Sequence, residues 1–201
     1  MLIVGLTGSI AMGKTKTAEL IRELGIPVFD SDAVVHELYA TGGAAVRPIG
    51  QLIPNAIRDG QVDRHVLSRV IQEDPTILRA VENIVHPLVS ASRSKFLAAC
   101  KARGESIAVL DIPLLYETRQ QDMVDRVVVV TAPQSLQMQR ALARPNMTPE
   151  KLELILSRQV SDDEKRSRAD YVIDTSAGLE SARQQVRRIF SELEMLKDGH
   201  K

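Results

Sequence analysis

Apolar residues along this chain follow two different periods. Five short runs are near-continuous in Val, Ile and Leu: Leu2–Thr7, Ile26–Asp30, Ile107–Ile112, Arg126–Thr131 and Asp170–Asp174. Runs without polar alternation are the pattern of parallel strands covered on both faces. Elsewhere apolar positions recur three or four apart. Thr15–Leu24 sets Ala18, Ile21 and Leu24 on one face, and the C-terminal stretch carries Leu179, Ala182, Val186, Ile189, Leu193 and Leu196. That spacing marks amphipathic helices. Strands alternating with helices predict an α/β fold on a five-stranded parallel sheet.

The interval 31–106 is too long for a simple crossover and reads as several helices inserted on the sheet domain. Val66, Leu67, Val70 and Ile71 define one, within Asp63–Glu73. Pro75 suits the first turn of the next, which is expected to break or kink at Pro87 before the period resumes over Val89–Ala102. After the fourth strand, Pro133–Arg144 predicts a helix. Thr148-Pro149-Glu150 has a capping hydroxyl followed by proline, and Ser161-Asp162-Asp163-Glu164 has capping-box spacing, so two further helix starts are expected there.

The chain has 201 residues, of which 44% are hydrophobic and 26% charged, so it can bury a full core. Its formal net charge is +0. Binding to a nucleic-acid backbone by bulk charge calls for a basic balance, so no nucleic-acid partner is expected. The 26 basic residues are mostly Arg, whose planar fork suits an anionic substrate. The one cysteine, Cys100, sits among apolar residues, forbids an internal disulfide and reads as a buried structural thiol. No signal peptide and no membrane-length apolar stretch is visible, and no obligate protein partner is evident. A cytoplasmic protein is the expectation.

The strongest chemical signal is Gly8-Ser9-Ile10-Ala11-Met12-Gly13-Lys14-Thr15, which fits G-x-x-x-x-G-K-[ST] between a strand and a helix. Backbone N–H groups of such a loop, here Gly8, Ala11, Met12, Gly13, Lys14, Thr15 and Lys16, cradle phosphate oxygens at a helix N-terminus. Lys14 would reach the β- and γ-phosphates of ATP, and the Thr15 hydroxyl would meet Mg2+. Asp30 and Asp32 close the second strand, where α/β sheets bind ligands. Either carboxylate could orient a hydroxyl or accept its proton, with helix capping as the plain alternative. Asp111 ends the third strand like a Mg2+-contacting Walker B carboxylate. Pro113 must leave the ladder, so the apolar residues after it, Leu114 among them, are expected to line a surface near the active face. Arg140 and Arg144 share one helix face and suit a polyphosphate or a closing lid. Arg158, Lys165, Arg166 and Arg168 read as solvated charge.

These elements together resemble the dephospho-CoA kinase family. The resemblance runs over Val4–Thr15, Phe29-Asp30-Ser31-Asp32, Asp63-Arg64 with Leu67, His86-Pro87-Leu88, Ile112–Glu117, Arg140 with Arg144, Arg158-Gln159 and Ala169–Asp174. The His-Pro pair and the Pro-Leu-Leu-aromatic-Glu run are more specific than the loop. The resemblance implies a three-layer P-loop kinase fold with a helical substrate-binding insertion and a lid. It divides the chain into a nucleotide-binding core (1–30, 107–133 and 169–201), a CoA-substrate region (31–106) and a lid with adjoining helices (134–168). It implies transfer of the ATP γ-phosphoryl group to the ribose 3′-hydroxyl of dephospho-CoA, giving CoA and ADP. Asp32 matches the family's base, and Arg140 its lid arginine. Asp32, Arg64, His86 and Leu114 fall at substrate-binding positions, and Thr15 and Asp111 at metal-contacting ones. This loop carries Ala11 and Met12 where the family is richer in glycine or serine, and Thr175-Ser176 follow the last strand where an Asn-containing turn is usual. The alternative is another P-loop small-molecule or nucleoside monophosphate kinase. A GTPase lacks support, because no N-K-x-D base-reading motif occurs.

Overall fold

The computed structural model describes residues 1–198. β1 (Leu2–Thr7), α1 (Lys14–Glu23) and β2 (Val28–Asp30) open the chain. α2 (Ser31–Tyr39), α3 (Val46–Leu52), β3 (Ile57–Arg58), β4 (Gln61–Val62), α4 (Arg64–Glu73) and α5 (Thr76–Ala102) follow. β5 (Ile107–Asp111), β6 (Arg126–Thr131), α6 (Gln134–Leu142), α7 (Pro149–Ser157), α8 (Asp162–Ser167), β7 (Tyr171–Asp174) and α9 (Leu179–Asp198) complete it. The chain divides into two compact units, one made of Met1–Phe29 and the chain from Cys100 onward, the other of Asp30–Ala99.

The first unit is the three-layer α/β body. Its five strands run in the order β2-β5-β1-β6-β7. β1 lies at the centre, paired in parallel with β5 on one side and β6 on the other, and β6 pairs in parallel with β7. The five apolar runs are those strands, although the second is shorter than Ile26–Asp30. Pro27 has no N–H to give to a ladder, yet its carbonyl accepts from Val109 N–H, so the pairing starts one residue before β2. One face of the sheet, with Val4, Leu6, Ile107, Val109, Val128, Val130 and Ile173, packs against Ala18, Leu20 and Ile21 of α1 and the apolar stripe of α9. α8 also lies against β6. Cys100 is fully buried.

The expected break after Asp111 occurs, and Pro113 accepts a hydrogen bond from the Thr7 hydroxyl instead of continuing the ladder. The residues beyond it do not all line a surface. Leu114 is exposed, but Leu115 and Tyr116 turn into the core. Lys165 corrects the reading of solvated charge. It is fully buried and ion-paired to Glu117 at 2.8 Å. The starts at Thr148 and Ser161 are as expected, their hydroxyls accepting from the N–H groups of Lys151 and Glu164.

The second unit has its own core of Ala45, Ile49, Ile53, Ala56, Val62, Leu67, Val81 and Val85. It is not wholly helical, because β3 and β4 form an antiparallel hairpin. Asp59 and Gly60 both take positive φ, 51° and 74°, as a two-residue type I′ turn requires. Asp63 caps α4, accepting from His65 and Val66 N–H groups. The Val66 bond above all, with that of His65 and the nearby Arg58, holds its carboxyl below the ordinary range. That cap therefore stabilises the fold at neutral pH and is lost as pH falls through the depressed value. Asp74 accepts from the N–H and hydroxyl of Thr76, with Pro75 between them, at the start of α5.

Pro87 does not end the helix. α5 runs unbroken from Thr76 to Ala102 with Pro87 inside it. Val81 and Val85 before it, with Leu88 and Val89 after it, all pack into the same core, and this burial holds the helix across the missing N–H. The proline itself is exposed, so replacing it disturbs little packing. Pro87→Ala restores a donor to the Asn83 carbonyl and removes a ring clash. The expected result is a gain of on the order of 1–3 kcal/mol in urea unfolding. An unchanged or lower midpoint would show that the helix carries no strain there.

Candidate functional site

The site begins with the loop between β1 and α1. β1 is the first strand, and the chain leaves it toward β2 and β5 on one side before crossing to β6 and β7 on the other. Parallel sheets bind ligands at such a reversal, outside the carboxyl ends of the strands. Gly8 makes the exit possible. A Cβ there would stand 2.6 Å from the Val130 carbonyl oxygen, a backbone atom that cannot yield. The loop then turns through Ala11 at φ 62° and Gly13 at φ 95°, both in the left-handed region. Gly13 is the N-cap of α1, and a Cβ on it would meet the Thr175 side chain at 3.1 Å.

Most outward peptide groups of this loop are bonded. Ser9 carbonyl accepts from Met12 N–H, and Gly13 carbonyl from both the N–H and the hydroxyl of Thr17. Met12 carbonyl accepts from the Thr175 hydroxyl at 2.9 Å. The N–H groups of Ala11, Gly13, Lys14 and Thr15 meet no protein acceptor among the described residues. These donors at a helix start make the cradle an anion needs. Ala11 and Met12 fit the loop because their side chains turn inward. Ala11 packs with Ala141 and Leu152. Met12 is buried, and its sulfur accepts the Ala132 N–H at 3.1 Å.

Lys14 lies 2.5 Å from Asp111 Oδ1, with both side chains largely buried. Leu6 and Asp111 are register partners on adjacent strands, which places the carboxylate beside the start of the loop. Thr15 is exposed at the second position of α1. Lys16 aims its ammonium away along the helix surface to Glu19, so its backbone N–H alone faces the cradle end. Arg140 grips the residue after β7 with both terminal nitrogens, Nη1 to the Thr175 hydroxyl at 2.8 Å and Nη2 to its carbonyl at 2.9 Å. Arg144 is exposed in the turn after α6.

Asp30, Asp32, Arg64 and His86 belong to the other unit. Asp30 is the N-cap of α2, accepting from Ala33 N–H at 2.9 Å, as its capping alternative proposed. Asp32 is exposed in the first turn of that helix, Arg64 opens α4, and His86 is exposed on α5. Arg64 lies near the half-buried Tyr39, whose hydroxyl burial makes harder to ionise and Arg64 makes easier. Leu114 is exposed in the turn after β5.

The sequence reading named Gln159 and Thr175 only within the resemblance and gave Gln137 no role. Gln137 and Gln159 bond the Ile10 peptide, and Thr175 joins Arg140 to Met12. A signal existed for one of them. Gln137 and Arg140 are three apart on α6, which puts them on one helix face.

No group of three or more His, Cys, Asp or Glu side chains that could hold a metal occurs among the described residues. A hydroxyl and a carboxylate, Thr15 and Asp111, stand at the loop. That set fits Mg2+ carried by a polyphosphate, because this ion keeps several waters and needs only one or two protein ligands.

Comparison with known proteins extends this geometry. The sequence model of the family described as Dephospho-CoA kinase matches residues 2–181. A dephospho-CoA kinase of Mesorhizobium japonicum is 52% identical over 193 residues, 96% of this chain and 97% of that one. A crystal structure from Thermus thermophilus superposes with a TM-score of 0.77 at 31% identity, covering 96% of this chain and 97% of that one. Dephospho-CoA kinase from Campylobacter jejuni shares the fold, with a TM-score of 0.74 at 20% identity over 96% and 97% of the two chains.

The loop geometry makes one substitution decisive. Gly8→Ala places a methyl group against the Val130 carbonyl and must displace the loop. The expected result is at least a tenfold loss of affinity for a fluorescent ATP analogue, with an unchanged far-ultraviolet spectrum, since one displaced pair of charge-assisted bonds is worth about that much. Undiminished binding would show that the cradle does not hold phosphate.

Proposed function

The chain belongs to the dephospho-CoA kinase family, and from that membership and the site's geometry we infer that it phosphorylates the ribose 3′-hydroxyl of dephospho-CoA with ATP, the last step of coenzyme A synthesis. One observation carries the reading: a left-handed Gly13 opens α1 with backbone donors that meet no protein acceptor among the described residues, beside the buried Lys14–Asp111 pair. That arrangement takes a nucleoside triphosphate, and the family match supplies the acceptor.

The chemistry follows from what each residue can do. Loop donors hold the phosphates, and Lys14 exchanges part of its contact with Asp111 for the β- and γ-oxygens. Its charge then balances what develops on the bridging oxygen as the β–γ bond breaks. The 3′-oxygen attacks the γ-phosphorus, ADP leaves, and Asp32 takes the hydroxyl proton. Thr15 and Asp111 would hold Mg2+, which when bound offsets the negative charge of the phosphates. Arg140 offers two parallel donors on a planar fork, and in the reading of 134–168 as a lid it turns them toward the triphosphate. Arg64, His86 and Leu114 serve the dephospho-CoA side. Ligands are small molecules on this reading. A cytoplasmic location belongs to the same reading. Among the described residues no helix is long and apolar enough to cross a membrane.

An ADP-release assay with ATP and Mg2+ across dephospho-CoA, AMP, CMP and pantothenate tests the assignment. Turnover is expected with dephospho-CoA. Turnover with AMP or CMP in its place would move the enzyme to the nucleoside monophosphate kinases.

Two substitutions separate the roles. Lys14→Met removes a pre-placed charge and should lower kcat by on the order of 10²–10³. Asp32→Asn keeps the shape and removes the base, lowering kcat by about 10²–10⁴ while leaving ATP affinity near wild type. An Asp30→Asn enzyme slower than Asp32→Asn would transfer the base role to Asp30.

A further inference from the structure

Both backbone polar groups of Ile10 are held by side chains. Its N–H donates to Gln159 Oε1 at 3.1 Å, and its carbonyl accepts from Gln137 Nε2 at 2.9 Å. The two glutamines come from separate places, Gln137 on α6 and Gln159 in the turn between α7 and α8. Both lie within 134–168. Gln137 is almost completely buried, and Ile10 packs with Ala11, Ala141, Leu152, Met147 and Leu156 around the same point. A buried amide side chain reaching a loop carbonyl has few other partners to choose from, so its geometry is specific.

The bonds fix more than Ile10. The Ile10 carbonyl and the Ala11 N–H belong to one planar peptide unit and point opposite ways, so the Gln137 bond sets the direction of the Ala11 N–H, one of the cradle's donors, while the Gln159 bond fixes the Ser9–Ile10 unit before it. Ala11 holds φ 62° without being glycine, a conformation that is disfavoured unless its surroundings impose it. Two bonds of opposite polarity, one on each of the peptide units that flank the Ile10 Cα, impose it.

We infer that Gln137 and Gln159 are positioning residues for the triphosphate, clamping the two peptide units that meet at Ile10 so that the Ala11 N–H stays aimed into the phosphate cradle. This deepens the proposed function, since it rests on the loop binding ATP. The clamp acts on the nucleotide and not on the phosphoryl acceptor. It also has a chemical polarity. Ile10 N–H can only donate, so position 159 must present an oxygen. Ile10 carbonyl can only accept, so position 137 must present a donor.

That polarity supplies the test. Gln159→Leu and Gln137→Met each delete one bond and should weaken an ATP analogue about three- to tenfold, the size of one lost hydrogen bond. KM for ATP should rise equally, and KM for dephospho-CoA should stay within twofold. Gln159→Glu keeps an acceptor facing Ile10 N–H and should bind within twofold of wild type. Gln137→Glu adds the same charge but faces oxygen to oxygen, and should bind no better than Gln137→Met. A general electrostatic effect on ATP would make the two Glu variants alike. A merely structural role would lower thermal stability and raise both KM values in step. Either pattern overturns the clamp, and so does unchanged analogue affinity in Gln159→Leu and Gln137→Met. Analogue binding needs no acceptor, so a wild-type enzyme inactive on dephospho-CoA would overturn the assigned reaction and leave the clamp to be judged by binding.

Discussion

The loop after β1 is organised by one constraint: among the described residues, the backbone N–H groups of Ala11, Gly13, Lys14 and Thr15 at the start of α1 are kept without protein acceptors. A free N–H in a folded chain is costly unless water or a ligand meets it. The chain holds that loop through bonds to several of its other peptide groups. Ser9 carbonyl goes to Met12, Gly13 carbonyl to Thr17, Met12 carbonyl to Thr175 and the Ile10 peptide to two glutamines. With those fixed, the donors of Ala11, Gly13, Lys14 and Thr15 are preorganised, and binding an anion requires little ordering.

The sheet order explains why so many elements can reach one short loop. β1 is central, so its carboxyl end is flanked by the ends of β5 and β6 together. β5 delivers Asp111 beside Lys14, and the Ala132 N–H that follows β6 donates to the Met12 sulfur. β7, one strand further out, delivers Thr175, whose backbone N–H still bonds Thr131 carbonyl as if the ladder continued. Arg140 reaches Thr175 from α6. A loop on an edge strand would have lost half of these supports.

The parts legible in the sequence are those that depend on periodicity or on local chain chemistry. The five apolar runs gave the strands, because parallel strands buried on both faces leave no polar alternation to confuse them. Thr148, Ser161 and Pro75 gave helix starts, because capping involves neighbours along the chain. Pro87 misled because its local penalty is real, while the four apolar residues around it that outweigh it show their effect only once they share a core. The β3–β4 hairpin had a readable turn in Asp59-Gly60, but strands of two residues carry no period. Lys165 was illegible for a different reason: its partner Glu117 is 48 positions away in sequence, and a buried lysine has no local signature. Gln159 and Thr175 entered only through the resemblance, and the loop contacts of both, like that of Gln137, span more than a hundred positions of sequence.

The run Pro113-Leu114-Leu115-Tyr116-Glu117 shows how a specific sequence feature can act at a distance from where it points. Leu115 and Tyr116 are buried, and the Tyr116 hydroxyl donates to the Arg168 carbonyl while the Arg168 guanidinium lies 4.2 Å over its ring. Glu117 accepts the Val160 N–H at 2.9 Å and pairs with Lys165 on the same oxygen. A buried ion pair contributes little net stability compared with apolar packing of the same volume, but its geometry is demanding, and removing one partner is severely destabilising. Here that geometry holds both ends of the segment from Val160 to Arg168. Gln159 is the residue immediately before the anchored N–H, and it is Gln159 that meets Ile10 in the phosphate loop. The run after β5 therefore reaches the loop through a covalent step and two hydrogen bonds, with Leu114 alone of its apolar residues left facing solvent.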